Sequence, residues 1–122
     1  MVGGVVRAML QQGARADRIV ATLGPAICSA CYEVPDDMRD AVSAVAPEAH
    51  ATSATGTASL HLRRAVVAQL ARAGVTEVDA VGGCTAEDPT LYSYRRDGRT
   101  GRFAMLAWLP SGESGSAVDV GE

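Results

Sequence analysis

The sequence predicts an α/β (α+β) fold, a layered mixed sheet with helices packed on it, and three observations carry that prediction. Apolar residues recur at helical i+3 and i+4 spacings in three separate stretches, short β-branched runs lie between or after them, and an uninterrupted apolar run, Phe103 to Leu109, follows. The alternation of the two periods places helices beside strands along one chain.

Val2, Val5, Val6, Met9 and Leu10 form one apolar helix face, and Gly13 ends it. Only Met1 and Val2 are available as a lead-in, so the chain is expected to start in mid-fold, incomplete at its amino end. Ile19 to Leu23 reads as a buried strand that Gly24-Pro25 stops, because proline cannot donate to a ladder. A loop, Ala26 to Ala30, leads to Cys31-Tyr32-Glu33-Val34, read as extended. Pro35 with Asp36 and Asp37 then opens a second helix, where a fixed φ and two carboxylates suit the positive end of the helix dipole. Met38, Ala41, Val42 and Val45 give that helix its apolar face, and Pro47 closes it.

His50 to Gly56 reads as a loop or irregular edge strand. Thr57 or Ser59 is expected to cap a third helix, whose Leu62, Val66, Leu70 and Ala73 share one face, with Gly74 just past its end. Val75 to Val81 predicts a strand and Gly82-Gly83-Cys84-Thr85 the loop leaving it. Phe103 to Leu109 predicts a strand covered on both faces. Asp97-Gly98 reads as the tip of a solvated hairpin loop. Residues 1–110 form the packed part, and Ser111 to Glu122, rich in Gly and Ser, is expected to be a flexible tail.

Composition narrows the chemistry. The 122 residues carry 11 basic and 14 acidic side chains, a net charge of −3, with 48% hydrophobic and 20% charged residues. That is enough apolar material for one core, and no global positive field gathers nucleic acid. No run of about twenty apolar residues crosses a bilayer, and no signal segment opens the chain, so no membrane partner and a cytoplasmic location are expected. Every basic residue is Arg, a bias that fits a high-GC bacterial genome. Without Lys there is no ε-amine for a Schiff base, and an anion must be held by guanidinium groups, backbone amides or a metal.

Three Cys is an odd number, which argues against a closed disulfide framework. Cys28-Ser29-Ala30-Cys31 could share a metal or exchange a disulfide, but a redox pair usually opens a helix, and zinc would need two more donors from Cys84, His50 and His61. Burial as apolar thiols is the expectation. His50 and His61 each lack a positioned partner and read as surface or capping residues. Ser93 has no base beside it. The densest polar region is Cys84-Thr85-Ala86-Glu87-Asp88-Pro89 followed by Tyr92-Ser93-Tyr94-Arg95-Arg96-Asp97-Gly98-Arg99-Thr100-Gly101-Arg102, whose four Arg in eight residues are a candidate phosphate or carboxylate clamp.

Taken in order, Gly24-Pro25-Ala26-Ile27, Cys31-Tyr32-Glu33-Val34, the Leu60 to Gly74 helix with Gln69-Leu70, Cys84-Thr85, Ser93-Tyr94-Arg95-Arg96-Asp97-Gly98 and Thr100-Gly101-Arg102 resemble the YfiH family. That family is also named peptidoglycan editing factor, laccase-domain or multicopper polyphenol oxidase, and purine nucleoside phosphorylase. The resemblance covers the chain to Pro110 and implies a CNF/YfiH-like fold. It implies phosphorolysis of adenosine, inosine and methylthioadenosine, with adenosine deamination, at a zinc or copper site. Purine nucleoside and phosphate are the implied partners.

The family's metal and catalytic residues are a His, a Cys in an Asp-Cys context and a His in a His-Ala-Gly context, all before the helix that opens this chain. None of them maps onto Cys28, Cys31, Cys84, His50 or His61, so no catalytic or metal residue is assigned. This carboxyl-terminal portion is expected to bind no metal and to show little or no activity. The substrate-binding candidates are Tyr94, for stacking or hydrogen bonding, and Arg95, Arg96 and Arg102, for anion contact. His61 stands where relatives commonly have Asp. The alternatives are a non-catalytic binding or assembly module, which could self-associate through an uncovered sheet edge, and a polyphenol oxidase, against which the presence of only two His counts.

Overall fold

The structure is a computed structural model, and it describes residues 1–111 and 117–121. Helix α1, Val2–Gln11, starts at the second residue and buries Val6, with Val2 packed beside it. Gly13 follows at φ +98°, a left-handed position that a side chain would strain. A single 3₁₀ turn, Ala16–Arg18, leads into β1, Val20–Leu23. Helix α2, Asp36–Val45, follows Pro35 with Asp36 and Asp37 in its first turn and ends before Pro47, as the sequence predicts, and a 3₁₀ turn at Pro47–Ala49 succeeds it.

Strands β2, His50–Thr52, and β3, Ala58–Leu60, form an antiparallel pair with His50 opposite Leu60. Here the expected cap of the third helix is corrected. Ser59 is fully buried inside β3, and helix α3, Leu62–Arg72, is capped by His61, whose Nδ1 accepts from the Arg64 N–H at 3.2 Å. An Asp carboxylate at this position would accept the same bond. Gly74, at φ +91°, ends the helix as predicted.

Strand β4, Glu77–Ala80, runs parallel to β1, pairing Val20 with Glu77 and Leu23 with Ala80. A short helix α4, Tyr94–Asp97, occupies the segment expected to be a hairpin loop. Ser93 Oγ accepts from the Arg96 N–H at 3.3 Å, and Gly98, at φ +71°, closes the turn. Strand β5, Ala104–Trp108, pairs antiparallel with β6, Ala117–Gly121. The expectation of a flexible tail therefore meets a strand at 117–121, while 112–116 and 122 lie outside the described residues. Nor is β5 covered on both faces: Leu106 and Trp108 are 62% and 50% exposed, because no helix packs across it among the described residues.

The fold is α+β, and among the described residues its parallel and antiparallel pairings are divided over three two-stranded ladders. Two apolar clusters hold it together. Val6, Leu70 and Val75, with Ile19, Ala21, Leu23 and Val78 around them, pack α1 and α3 on the β1/β4 pair. Ala46, Ala49, Leu60 and Ala65, with Tyr32, Val34 and Val42, pack α2 on β3 and the start of α3. Helix α3 joins the two, since its Ala65 and Leu70 are buried in different clusters.

Candidate functional site

Parallel strands send their carboxyl ends to the same edge, where open α/β sheets place ligands. Here β1 runs into Gly24-Pro25-Ala26-Ile27-Cys28 and β4 into Val81-Gly82-Gly83-Cys84. The pairing continues past the strands as a parallel bridge between Ala26 and Cys84. Two devices hold the loops together. The Arg63 guanidinium of α3 donates to the carbonyls of Gly24 at 3.0 Å, Gly82 at 3.1 Å and Val81 at 3.3 Å. Gly82 lies at φ +71°, and a Cβ there would stand 2.5 Å from Pro25 Cγ, so only glycine lets the loops approach this closely.

The approach gathers three thiols and a carboxylate. Ligand atoms of Cys28, Cys31, Cys84 and Glu87 all lie within 4.8 Å of one another. The Cys28 N–H donates to Cys84 Sγ at 3.3 Å, and Glu87 Oε1 lies 3.4 Å from Cys31 Sγ and 3.7 Å from Cys28 Sγ. Burial pushes the Cys84 thiol up, but hydrogen bonds from Cys28 and from the backbone of Glu87 and Ala86 outweigh it and bring the pKa below the ordinary 9.0. Cys31 goes the other way, to about 12, through its contact with the Cys28 side chain, then burial and the Glu87 carboxylate. Opposite shifts of Cys31 and Cys84 are the mark of thiols that interact within one cluster. All three thiols are free and partly exposed, which corrects the expectation of buried apolar cysteines.

The Arg-rich segment beside this cluster separates into different jobs. Arg96 turns inward: its guanidinium donates to the carbonyls of Thr85 at 2.9 Å, Asp88 at 2.9 Å and Leu91 at 2.7 Å, and it forks onto the Asp97 carboxylate. Arg95 donates to the Glu33 carbonyl at 2.7 Å, and its guanidinium lies 5.1 Å from the Tyr32 ring centroid, tying α4 to the chain after Cys31. Tyr94 and Arg102 instead share an open depression of about 510 Å³ with Tyr92, Arg99 and Phe103. Its floor is tight, since a Cβ on Gly101 would come within 2.8 Å of Tyr92 Cζ. A second depression, of about 600 Å³, includes Glu33, Asp36 and Arg39, a charge balance that does not favour an anion.

Of the four residues singled out for substrate, the structure thus brings Tyr94 and Arg102 together and places Arg95 and Arg96 against backbone carbonyls. His50 and His61 lie apart from the thiols, in β2 and at the start of α3. Sequence reading missed Glu87 as the fourth donor, although Cys84-Thr85-Ala86-Glu87 repeats the spacing of Cys28-Ser29-Ala30-Cys31. It also missed Arg63, whose role depends on contacts with segments 18 and more residues distant.

Comparison with known proteins adds the following. A family model described as multi-copper polyphenol oxidoreductase laccase matches residues 1–110. A purine nucleoside phosphorylase of Streptomyces coelicolor is 48% identical over 109 residues, covering 89% of this chain and 45% of that protein. One from Mycobacterium tuberculosis is 47% identical over 110 residues, covering 88% and 44%. One from Corynebacterium glutamicum is 40% identical over 110 residues, covering 90% and 45%. The chain spans a little under half the length of these relatives.

Proposed function

The chain belongs to the multi-copper polyphenol oxidoreductase laccase family, and from that premise we propose that it serves purine nucleoside phosphorolysis, the activity for which its relatives are named. The observation that carries this reading is the depression shared by Tyr92, Tyr94, Arg99 and Arg102. Two phenol rings offer a face and a hydroxyl to a purine, and two guanidinium groups offer bidentate donors to phosphate.

In phosphorolysis a phosphate oxygen forms a bond to ribose C1′ while the C1′–N9 bond breaks. The bonding pair leaves with the purine, which takes up a proton from solvent. Arg99 and Arg102 hold the phosphate dianion in place, lowering the entropy cost of bringing two reactants together. Tyr94, 78% exposed, is open to stack on or hydrogen-bond the base. Arg95 and Arg96 serve as supports that fix the segment carrying the other residues.

The family description names copper chemistry. A multicopper centre takes several imidazoles. The chain has two His, and the Cys28, Cys31, Cys84 and Glu87 group contains none. This donor set does not fit such a centre, so no step is routed through copper. Zinc, by contrast, is compatible with the donor set.

Calorimetric titration of the chain with adenosine and phosphate, with chromatography for released adenine, tests the proposal. Saturable nucleoside binding supports it, and turnover extends it to catalysis by this chain. Absence of saturation at about 1 mM nucleoside contradicts it.

No helix among the described residues is long and apolar enough to cross a membrane. Free thiols fit a reducing, cytoplasmic location. The exposed Leu106, Trp108 and Leu109 support self-association through the β5 face. Sedimentation at micromolar concentration decides between dimer or larger species and a monomer, and a monomer contradicts the association.

A further inference from the structure

We propose that Cys28, Cys31, Cys84 and Glu87 form a binding site for one zinc-class divalent cation, built from two matching turns on neighbouring loops. The proposal stands independently of the nucleoside reading. Its first support is the backbone. Tyr32 N–H donates to the Cys28 carbonyl at 3.0 Å, and Asp88 N–H donates to the Cys84 carbonyl at 3.0 Å. Each turn therefore closes over four residues, Cys-Ser-Ala-Cys in one and Cys-Thr-Ala-Glu in the other, and presents its first and fourth side chains to the same point. A pair of such turns facing each other is how two loops supply four ligands to a tetrahedral ion.

Distance agrees. Around zinc, with Zn–S of about 2.3 Å, neighbouring thiolate sulfurs stand about 3.8 Å apart. The four donor atoms already lie within 4.8 Å, so closure requires side-chain adjustment of about 1 Å and no movement of the loops. Donor chemistry agrees as well. Three thiolates and a carboxylate select zinc-class ions over magnesium or calcium, which take oxygen ligands.

The surroundings are built to hold this arrangement. The Cys28 N–H bonded to Cys84 Sγ disperses charge on a ligating sulfur, as second-layer donors do around metal thiolates. Arg96 holds the Cys84–Glu87 turn by the Thr85 carbonyl within it and the Asp88 carbonyl just after it, and Arg63 holds the loops that lead into both turns. Binding displaces the thiol protons into solvent.

The test uses the reduced full chain stripped with a chelator and then titrated with Zn²⁺, Co²⁺ or Mg²⁺. Native mass spectrometry is expected to show one Zn²⁺ per chain and no retained Mg²⁺. Co²⁺ is expected to give a sulfur-to-cobalt charge-transfer band with intense tetrahedral d–d bands. Cys28→Ser and Cys84→Ser each lower zinc affinity by on the order of 100-fold or more, since even loss of an outer-layer partner costs 10- to 100-fold. His50→Ala leaves it unchanged.

Alkylation of the unmutated chain guards against variants that fail to fold: all three Cys are shielded with Zn²⁺ bound and react after chelation. Absence of zinc binding, an undiminished affinity in Cys84→Ser, no sulfur-to-cobalt band, or a disulfide between Cys28 and Cys31 that forms in the presence of Zn²⁺ would each overturn the proposal.

Discussion

The backbone N–H of Cys28 donates to the Cys84 sulfur at 3.3 Å, joining residues 56 positions apart at the carboxyl ends of two parallel strands. The register of β1 on β4 makes the meeting possible, and it brings the thiol-rich turns and the Arg-rich segment to one end of the molecule. The consequences can be tested residue by residue.

Gly82→Ala should destabilise the chain by about 1–3 kcal/mol, from a positive φ and the clash with Pro25 combined. Urea unfolding followed by circular dichroism measures it. Because Gly82 lies two residues before Cys84, zinc affinity of the folded variant should fall too. Unchanged stability would show that the loops approach less closely than described.

Arg96→Ala removes donors from three carbonyls and breaks the fork onto Asp97. The side chain is 29% exposed, so water replaces part of the loss, and a modestly lower urea midpoint is expected. Arg96→Lys should recover little, since an ammonium cannot reproduce the planar fork. Full recovery in the Lys variant would reduce Arg96 to a simple charge.

Hydrogen bonds from the Arg96 guanidinium hold the Asp97 carboxyl below its ordinary value of 3.8, against the opposing effect of burial and with help from the Arg96 charge. A carboxyl depressed in the folded state favours folding at any pH above its unfolded value. That contribution fades as pH falls from about 3.8 through the lower folded value. Urea midpoints measured from pH 6 to pH 2 should therefore fall less steeply for Asp97→Asn than for the unmutated chain. Parallel curves would remove Asp97 from the acid response.

Much of the fold was legible because it is locally encoded. The apolar stripes of α1 and α3, Pro35 before α2 and glycines after α1 and α3 each act within a few residues. The misreadings have a common origin in short elements. Strand β3 has three residues, too few for a period to show, and Ser59 within it and Thr57 before it read as helix caps when His61 holds that place. Helix α4 has four residues and is stabilised by Ser93 at one end and Gly98 at the other, a pattern that also suits a turn. The thiol cluster was hidden for a different reason. Cys84 and Glu87 reach Cys28 and Cys31 only through parallel pairing, which sequence spacing does not encode, although the repeated two-residue gap was visible.

The central claim is that Tyr94 and Arg102, beside Tyr92 and Arg99, form the wall that meets nucleoside and phosphate. Calorimetric titration of phosphate into the adenosine-saturated chain, compared with Arg102→Ala and Tyr94→Ala, tests it most directly. The prediction is a loss of phosphate affinity of about tenfold or more in Arg102→Ala, equivalent to one charge-assisted hydrogen bond, with Tyr94→Ala weakening adenosine instead. Phosphate binding to Arg102→Ala with unmutated affinity would contradict the account.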